Sequence, residues 1–414
     1  MNTSAAATCR FCSDPLEHTF VDLGMSPLCQ TQVLPSQLDR MEPFFPLHVQ
    51  VCGNCFLVQL PEYVAPDIIF GAEYPYYSSY SQGWVRHASD YVGHVMSVHG
   101  IGRDSFVVEL ASNDGYLLQH FVSRGVRCLG IEPAQGVGDA ARARGVPTLT
   151  RFFGAGTALV VRGSDGPADL IVGNNVLAHV PDLKDFLRGV TLLLADDGMA
   201  TFEFPHLMRL MEGNQFDTIY HEHFSYFSFT CVRRIFAALG LRIFDVQELG
   251  THGGSLRVYA CHAGDGRRPE HERVAALLAR EASAGFGELA TYSRFGDRVE
   301  ATKRRLLGFL IQAREEGRQV VGYGAPGKGN TLLNFCGIRT DFLAYTVDRN
   351  PHKQGTFTPG TRIPIHAPGR IFETRPDYVL ILPWNLAEEI SREMEGIRAW
   401  GGRFLVPIPA VRTF

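Results

Sequence analysis

The stretch Asp217-Thr218-Ile219-Tyr220-His221-Glu222-His223-Phe224-Ser225-Tyr226-Phe227 packs a phenol, two imidazoles and a carboxylate into positions 220–223, between aromatic residues. These are the side-chain types that move protons near neutral pH. About 110 residues upstream lies an acidic, glycine-containing loop suited to a nucleoside. A proton-moving cluster placed after a cofactor loop suggests an enzyme that removes a proton while a bound reagent reacts. On a strand or turn His221 and His223 face opposite sides, so at most one need be functional. The trio His221-Glu222-His223 lacks the i, i+4 spacing of a metal-binding HExxH helix.

The elements that must position this chemistry begin with Phe106-Val107-Val108-Glu109-Leu110, an apolar run of the kind a buried parallel strand shows. It runs into Ala111-Ser112-Asn113-Asp114-Gly115 and then a helical pattern over 116–121. Strand, tight turn and helix open a nucleotide-binding βαβ unit. A second strand over 126–131 ends in Glu132-Pro133, an acid about 20 positions after the loop, where a ribose diol is gripped. GxGxxG is absent, and Glu109 and Asp114 make an acidic lip that would repel a pyrophosphate. That disfavours an NAD-dependent dehydrogenase. S-adenosylmethionine (SAM), with a sulfonium, an amino group and no phosphate, is not repelled.

Residues 168–180 read as the fourth strand and its exit loop, with Asn174-Asn175 at the turn. A helix over 183–194, Asp197-Gly198 and a strand over 199–204 follow. This order matches the seven-stranded SAM-dependent methyltransferase core better than a generic Rossmann-like domain. Glu109, Asn113, Asp114, Gly115, Glu132, Asn174 and Asn175 are the expected cofactor-binding residues.

Cys9-Arg10-Phe11-Cys12 and Cys52-Gly53-Asn54-Cys55 form two CxxC knuckles separated by 39 residues. Each points a pair of thiolates the same way, and Gly53-Asn54 tolerates the left-handed angles of a knuckle. Together Cys9, Cys12, Cys52 and Cys55 supply a tetrahedral set for a structural Zn²⁺, with no open position for catalysis. A redox role for one CxxC is the weaker alternative, because the pairs match. Cys29, Cys128, Cys231, Cys261 and Cys336 read as small buried residues.

With these motifs in view, the chain resembles the SAM-dependent C-methyltransferases that act on nucleotide-linked 4-keto deoxyhexoses. The resemblance spans nearly the whole chain. It is carried by the paired CxxC, Glu73-Tyr74-Pro75-Tyr76-Tyr77-Ser78-Ser79, the Asn113-Asp114-Gly115 loop and residues 217–223. It extends to His252-Gly253-Gly254, Gly322-Tyr323-Gly324-Ala325 and Leu382-Pro383-Trp384-Asn385. Such enzymes usually have Gly where this chain has Ala111, a change the loop tolerates if its backbone avoids positive φ there.

The resemblance implies methylation at C3 of an NDP-4-keto-6-deoxyhexose, dTDP-linked in expectation. His223 matches the family's base, and Tyr220 and Glu222 match partners that orient the sugar or the imidazole. Tyr74, Tyr76 and His179 match residues lining the sugar pocket. The rival readings are O- or N-methylation of a nucleotide sugar, and a non-catalytic zinc-containing protein that binds SAM or nucleotides.

From about residue 268 to 318 the chain turns charged and helical, and a new α/β pattern then begins. Residues 322–328 nearly fit GxxxxGK[ST], but Gly329 stands where a Ser or Thr must hold Mg²⁺, so an NTPase is disfavoured. A glycine-rich strand-to-helix turn still offers backbone N–H groups to a diphosphate. Tyr323, Lys328, Asn330, Lys353 and Asn385 are the expected nucleotide-sugar contacts here, with Trp384 in the same cleft.

At 414 residues the chain is too long for one core. The expected fold class is α/β, in three parts. These are a zinc-binding module over 1–72, a Rossmann-like SAM-dependent methyltransferase domain over 73–303 ending in connecting helices, and a smaller α/β domain over 304–414. A hydrophobic content of 45% and a charged content of 20% are those of an ordinary globular protein, and a net charge of −4 argues against nucleic-acid binding. No targeting segment or bilayer-spanning run is visible, so the expectation is a cytoplasmic protein, monomeric or weakly homo-oligomeric, without a membrane partner.

Overall fold

The computed structural model describes residues 7–71 and 77–414. Tyr74 and Tyr76 therefore lie outside the described residues. The chain divides into two compact units: 1–16, 52–206 and 224–287 make the first, and 17–51, 207–223 and 288–414 the second.

In the first unit the described strands β1 (Phe106–Leu110), β2 (Arg127–Ile131), β3 (Thr148–Leu149), β4 (Ala168–Asn174), β5 (Leu194–Pro205), β6 (Leu241–Leu249) and β7 (Ser255–His262) share one sheet. Their order is β6-β7-β5-β4-β1-β2-β3. β1 pairs in parallel with β2 and β4, and β4 with β5. β7 is antiparallel to both β5 and β6. Every residue of β1 is buried, as a parallel strand covered on both faces requires. The strand order reverses between β1 and β4, and the carboxyl ends of such a pair form the crevice in which α/β sheets take ligands. This is the Rossmann-like methyltransferase core that the strand pattern predicts.

Helix Gln82–His99 covers one face of that sheet. Its buried Ala88, Tyr91, Val92 and Val95 follow the i, i+3, i+4, i+7 rule and join a core with Tyr116, Leu117, Phe121 and Tyr259. Ser81 caps it by accepting from the Trp84 N–H, and Gly100 ends it at φ 71°.

The second unit carries the antiparallel pair His18–Ser26 and Phe45–Val51. Its main sheet holds β8 (Val320–Tyr323), β9 (Thr346–Val347), β10 (Ile365–His366), β11 (Tyr378–Ile381), β12 (Arg403–Val406) and β13 (Arg412–Thr413). The order is β10-β9-β8-β11-β12-β13, with only the β12–β13 pairing antiparallel among these strands. This is the smaller α/β domain the C-terminal sequence predicts. The charged stretch before it in the chain folds as helix Glu272–Ser283, which belongs to the first unit, and helices Leu289–Ser293 and Phe295–Glu315, which belong to the second. Phe295 stacks on Phe20 with ring centroids 4.7 Å apart, fastening the long helix to the first strand of the unit. None of the described helices is long and apolar enough to cross a membrane.

Candidate active site

At the carboxyl end of β1 the chain turns through three left-handed residues: Ala111 at φ 53°, Asn113 at 49° and Gly115 at 78°. Gly115 is required there, because a Cβ would also come within 2.9 Å of Val146 Cγ2. Asn tolerates the conformation; Ala does not do so freely. The condition under which Ala111 would be harmless is thus not met, and the loop carries backbone strain at that residue.

Glu132, at the end of β2, secures the loop. Its carboxylate accepts the Asn113 N–H at 2.9 Å and the Ala134 N–H at 2.9 Å. Asn113 Oδ1 accepts the Ser78 N–H at 2.8 Å. Asp114 is fully buried and ion-paired with Arg144 at 2.7 Å, and it also accepts from the Ser79 hydroxyl. Asp114 is therefore engaged in holding the loop closed.

Several polar atoms at the crevice lack a partner. Glu109 Oε2 and both polar atoms of Asn174 are enclosed without a hydrogen-bond partner. Buried polar groups are rarely left so. Burial pushes the Glu109 carboxyl well above the usual carboxylate range, and the charges of Glu132 and Asp114 add to the rise. Burial likewise raises Glu132, against the pull of its two backbone donors. An enclosed acidic crevice with free acceptors suits a cationic nucleoside, so these residues fit SAM. Asn175, at φ 53°, sets its amide 3.2 Å from His252 Nε2. His179 lies on the short turn Leu177–His179, edge-on to Phe70 at 5.4 Å.

The segment 217–223 belongs to the second unit. His221 is buried, with Nε2 3.2 Å from the Pro46 carbonyl and its ring edge-on to Phe45 at 5.9 Å. Burial lowers its basicity. His223 is half-buried. Its Nδ1 lies 2.9 Å from the Thr218 carbonyl oxygen, which can only accept, so Nδ1 carries the proton and Nε2 is the basic nitrogen. The Tyr220 ring lies against the imidazole at 4.1 Å between centroids. Glu222 is buried, and the Cys29 thiol reaches its Oε1 at 4.0 Å.

Helix Gly327–Cys336 braces this segment: the Thr331 hydroxyl donates to the Ile219 carbonyl at 3.0 Å. The buried Asn330 donates through Nδ2 to the Cys29 carbonyl at 2.7 Å and leaves its Oδ1 without a partner. Lys328 Nζ donates to Asn385 Oδ1 at 2.8 Å. Lys353 Nζ donates to the Ala325 carbonyl at 2.8 Å, holding the glycine-rich turn. The Tyr323 hydroxyl reaches Glu393 at 3.4 Å, and burial pushes its phenol up to about 12. Lys328, Asn330 and Asn385 thus come together beside the segment 217–223, whereas Lys353 and Tyr323 are engaged in supporting contacts.

Three participants escape the sequence reading. The Thr218 carbonyl leaves no trace in side-chain types, Arg144 sits in an ordinary helix end, and the partner of Asp217 is Trp384, 167 positions away.

Back in the first unit, Cys9, Cys12, Cys52 and Cys55 bring their sulfurs within 4.8 Å of one another. Gln59 Nε2 donates to Cys9 Sγ at 3.2 Å while its Oε1 accepts the Arg10 N–H at 2.9 Å. Four sulfurs with a fixed second layer fit a closed tetrahedral Zn²⁺ site. The other five cysteines are buried and free, as expected.

Three family models match the chain. These are a zinc binding domain over residues 9–70, a methyltransferase domain over 96–246 and a C-methyltransferase C-terminal domain over 250–409. The C-methyltransferase NovU of Streptomyces niveus is 38% identical over 408 residues, covering 98% of this chain and 96% of that protein. Among solved structures, the magnesium protoporphyrin IX methyltransferase (ChlM) of Synechocystis PCC 6803 is 14% identical, covering 44% of this chain and 80% of that one, with a TM-score of 0.34. The PH0226 protein of Pyrococcus horikoshii OT3 is 15% identical, covering 45% and 94%, with a TM-score of 0.38. These two structural likenesses are partial. The identity along nearly the full length, together with a crevice suited to SAM and a four-thiol zinc cluster, shows that the chain belongs to the SAM-dependent C-methyltransferase family.

Proposed function

We propose that this C-methyltransferase acts on C3 of a nucleotide-linked 4-keto-6-deoxyhexose, with a dTDP carrier, and that His223 Nε2 is the base. The observation that carries the reading is the hydrogen bond between His223 Nδ1 and the Thr218 carbonyl at 2.9 Å. It fixes the tautomer in which Nε2 holds a lone pair, on a half-buried ring beside the Tyr220 phenol.

A carbon acid beside a ketone is far weaker than imidazolium, so the base alone is insufficient. As Nε2 takes the C3 proton, the electron pair of the C–H bond moves towards the C4 oxygen, which needs a donor as its charge develops. Tyr220, and from the family likeness Tyr74, Tyr76 and His179, are candidates for that donor. Each such hydrogen bond lowers the barrier by about 3–4 kcal/mol, and a positioned base contributes roughly 10²–10⁴-fold in rate. SAM, when bound, supplies the electrophilic methyl group that the nucleophilic C3 carbon takes up. Glu109, Asn113, Glu132, Asn174 and Asn175 would hold it, with Asp114 and Gly115 shaping the loop. Lys328, Asn330 and Asn385 would receive the nucleotide diphosphate, supported by Lys353 and Tyr323. Nine cysteines outside any disulfide suit a reducing cytoplasm.

The test is hydrogen exchange at C3 of a dTDP-4-keto-6-deoxyhexose in D₂O without SAM. The wild type should exchange that position, and His223→Ala should lose at least two orders of magnitude in rate. No exchange by the wild type would remove the C3 reading; normal exchange by His223→Ala would remove the base assignment alone.

A further inference from the structure

In the second unit the base-carrying segment and the glycine-rich turn converge on one buried carboxylate. Asp217 is fully buried on the turn Phe216–Thr218. Its Oδ2 accepts the Trp384 indole N–H at 2.7 Å, and its Oδ1 is enclosed without a partner. The Lys328 ammonium stands over the same indole, 4.8 Å from the ring centroid, and donates to Asn385 Oδ1 at 2.8 Å. Trp384 is thus gripped at its N–H by an anion and at its face by a cation. The neighbouring residue supplies the ammonium's hydrogen-bond acceptor.

A buried carboxylate with one oxygen unpartnered is expensive to keep, and an apolar side chain of similar volume would stabilise the fold more. A role other than stability accounts for it. Asp217 is one residue from Thr218, whose carbonyl orients His223, and the Lys328 charge acts on its carboxyl.

We propose that Asp217 is a positioning residue for the substrate's nucleoside diphosphate: its carboxylate fixes the Trp384 indole, and through it the Lys328 ammonium, at the diphosphate site. The inference rests on the nucleotide-sugar reading above and adds to it a residue that does not itself touch the substrate. With Asn at 217 the indole N–H keeps an acceptor of the same shape, but the ammonium loses its counter-charge. Half-buried without one, the ammonium holds its charge and its place less firmly.

The experiment measures binding of dTDP and thymidine to the full-length protein, alongside KM and kcat for the keto sugar. Asp217→Asn is expected to weaken dTDP by about 10- to 100-fold, the range of one charge-assisted contact, and to leave thymidine within about twofold. KM should rise with little change in kcat, and SAM binding should be unaltered, which also reports that the variant is folded. Lys328→Met should lose as much for dTDP, and the double variant no more than Lys328→Met alone, since Asp217 acts through the lysine. Unchanged dTDP binding in Asp217→Asn, or losses that add in the double variant, would overturn the proposal. A wild type that binds SAM but no dTDP would overturn the nucleotide-sugar reading, and this proposal with it.

Discussion

A histidine becomes a base through the hydrogen bond on its other nitrogen. For His223 that partner is a backbone carbonyl, fixed by the short turn Phe216–Thr218, so no neighbouring acid is needed to select the tautomer. Glu109 and Glu132 both have carboxyls raised by burial, and the Asp114 charge raises each further, with Glu132 adding to the rise at Glu109. A bound cation favours their ionised forms, so binding SAM should release protons wherever the free protein still holds them. The sign follows: apparent affinity rises with pH from the ordinary carboxylate range up through the raised values, then levels off. Calorimetry in buffers of different ionisation enthalpy should show proton release. S-adenosylhomocysteine, without the sulfonium, should release fewer protons. Proton uptake on binding SAM would contradict this electrostatic account.

Among the elements, the β1-to-helix turn concentrates the conflict between function and stability. Three left-handed residues within five positions turn the backbone towards the crevice, and Ala111 is the one of them whose side chain opposes the conformation. The strain is on the order of 1–2 kcal/mol, and the greater freedom of glycine in the unfolded chain returns part of it. Ala111→Gly should therefore stabilise the protein by about 0.5–1 kcal/mol, seen as a higher denaturant midpoint with an unchanged slope. Destabilisation would mean that the alanine methyl group contributes packing worth more than the strain.

For the whole molecule, neither compact unit is a single run of chain. The zinc cluster ties residues 9–12 to 52–55 across a 39-residue spacer, 17–51 of which belongs to the other unit. A metal that closes so long a loop removes unfolded-state freedom, and a closed four-thiolate site contributes folding energy outright. Cys52→Ser should lose one zinc per chain by metal analysis and several kcal/mol of stability. Because no coordination position is open, turnover at temperatures where the variant stays folded should survive. Abolished chemistry in a folded, metal-free variant would give the metal a role beyond structure.

The sequence by itself determined what is local. Buried-strand runs around a tight turn and a helical pattern marked the βαβ unit, two CxxC knuckles marked the metal site, and an acidic loop without GxGxxG selected SAM over a dinucleotide. Each depends on residues within a few positions of one another. Only the tertiary structure decided which groups each acid meets. It pairs Asp114 with Arg144 and brings Asp217 to the Trp384 indole, within the influence of Lys328. It also showed Ala111 in a left-handed conformation and gave His223 a backbone carbonyl for its second nitrogen. The reason is physical: a charged side chain takes its role from the groups enclosed with it, and burial brings those together from distant parts of the chain.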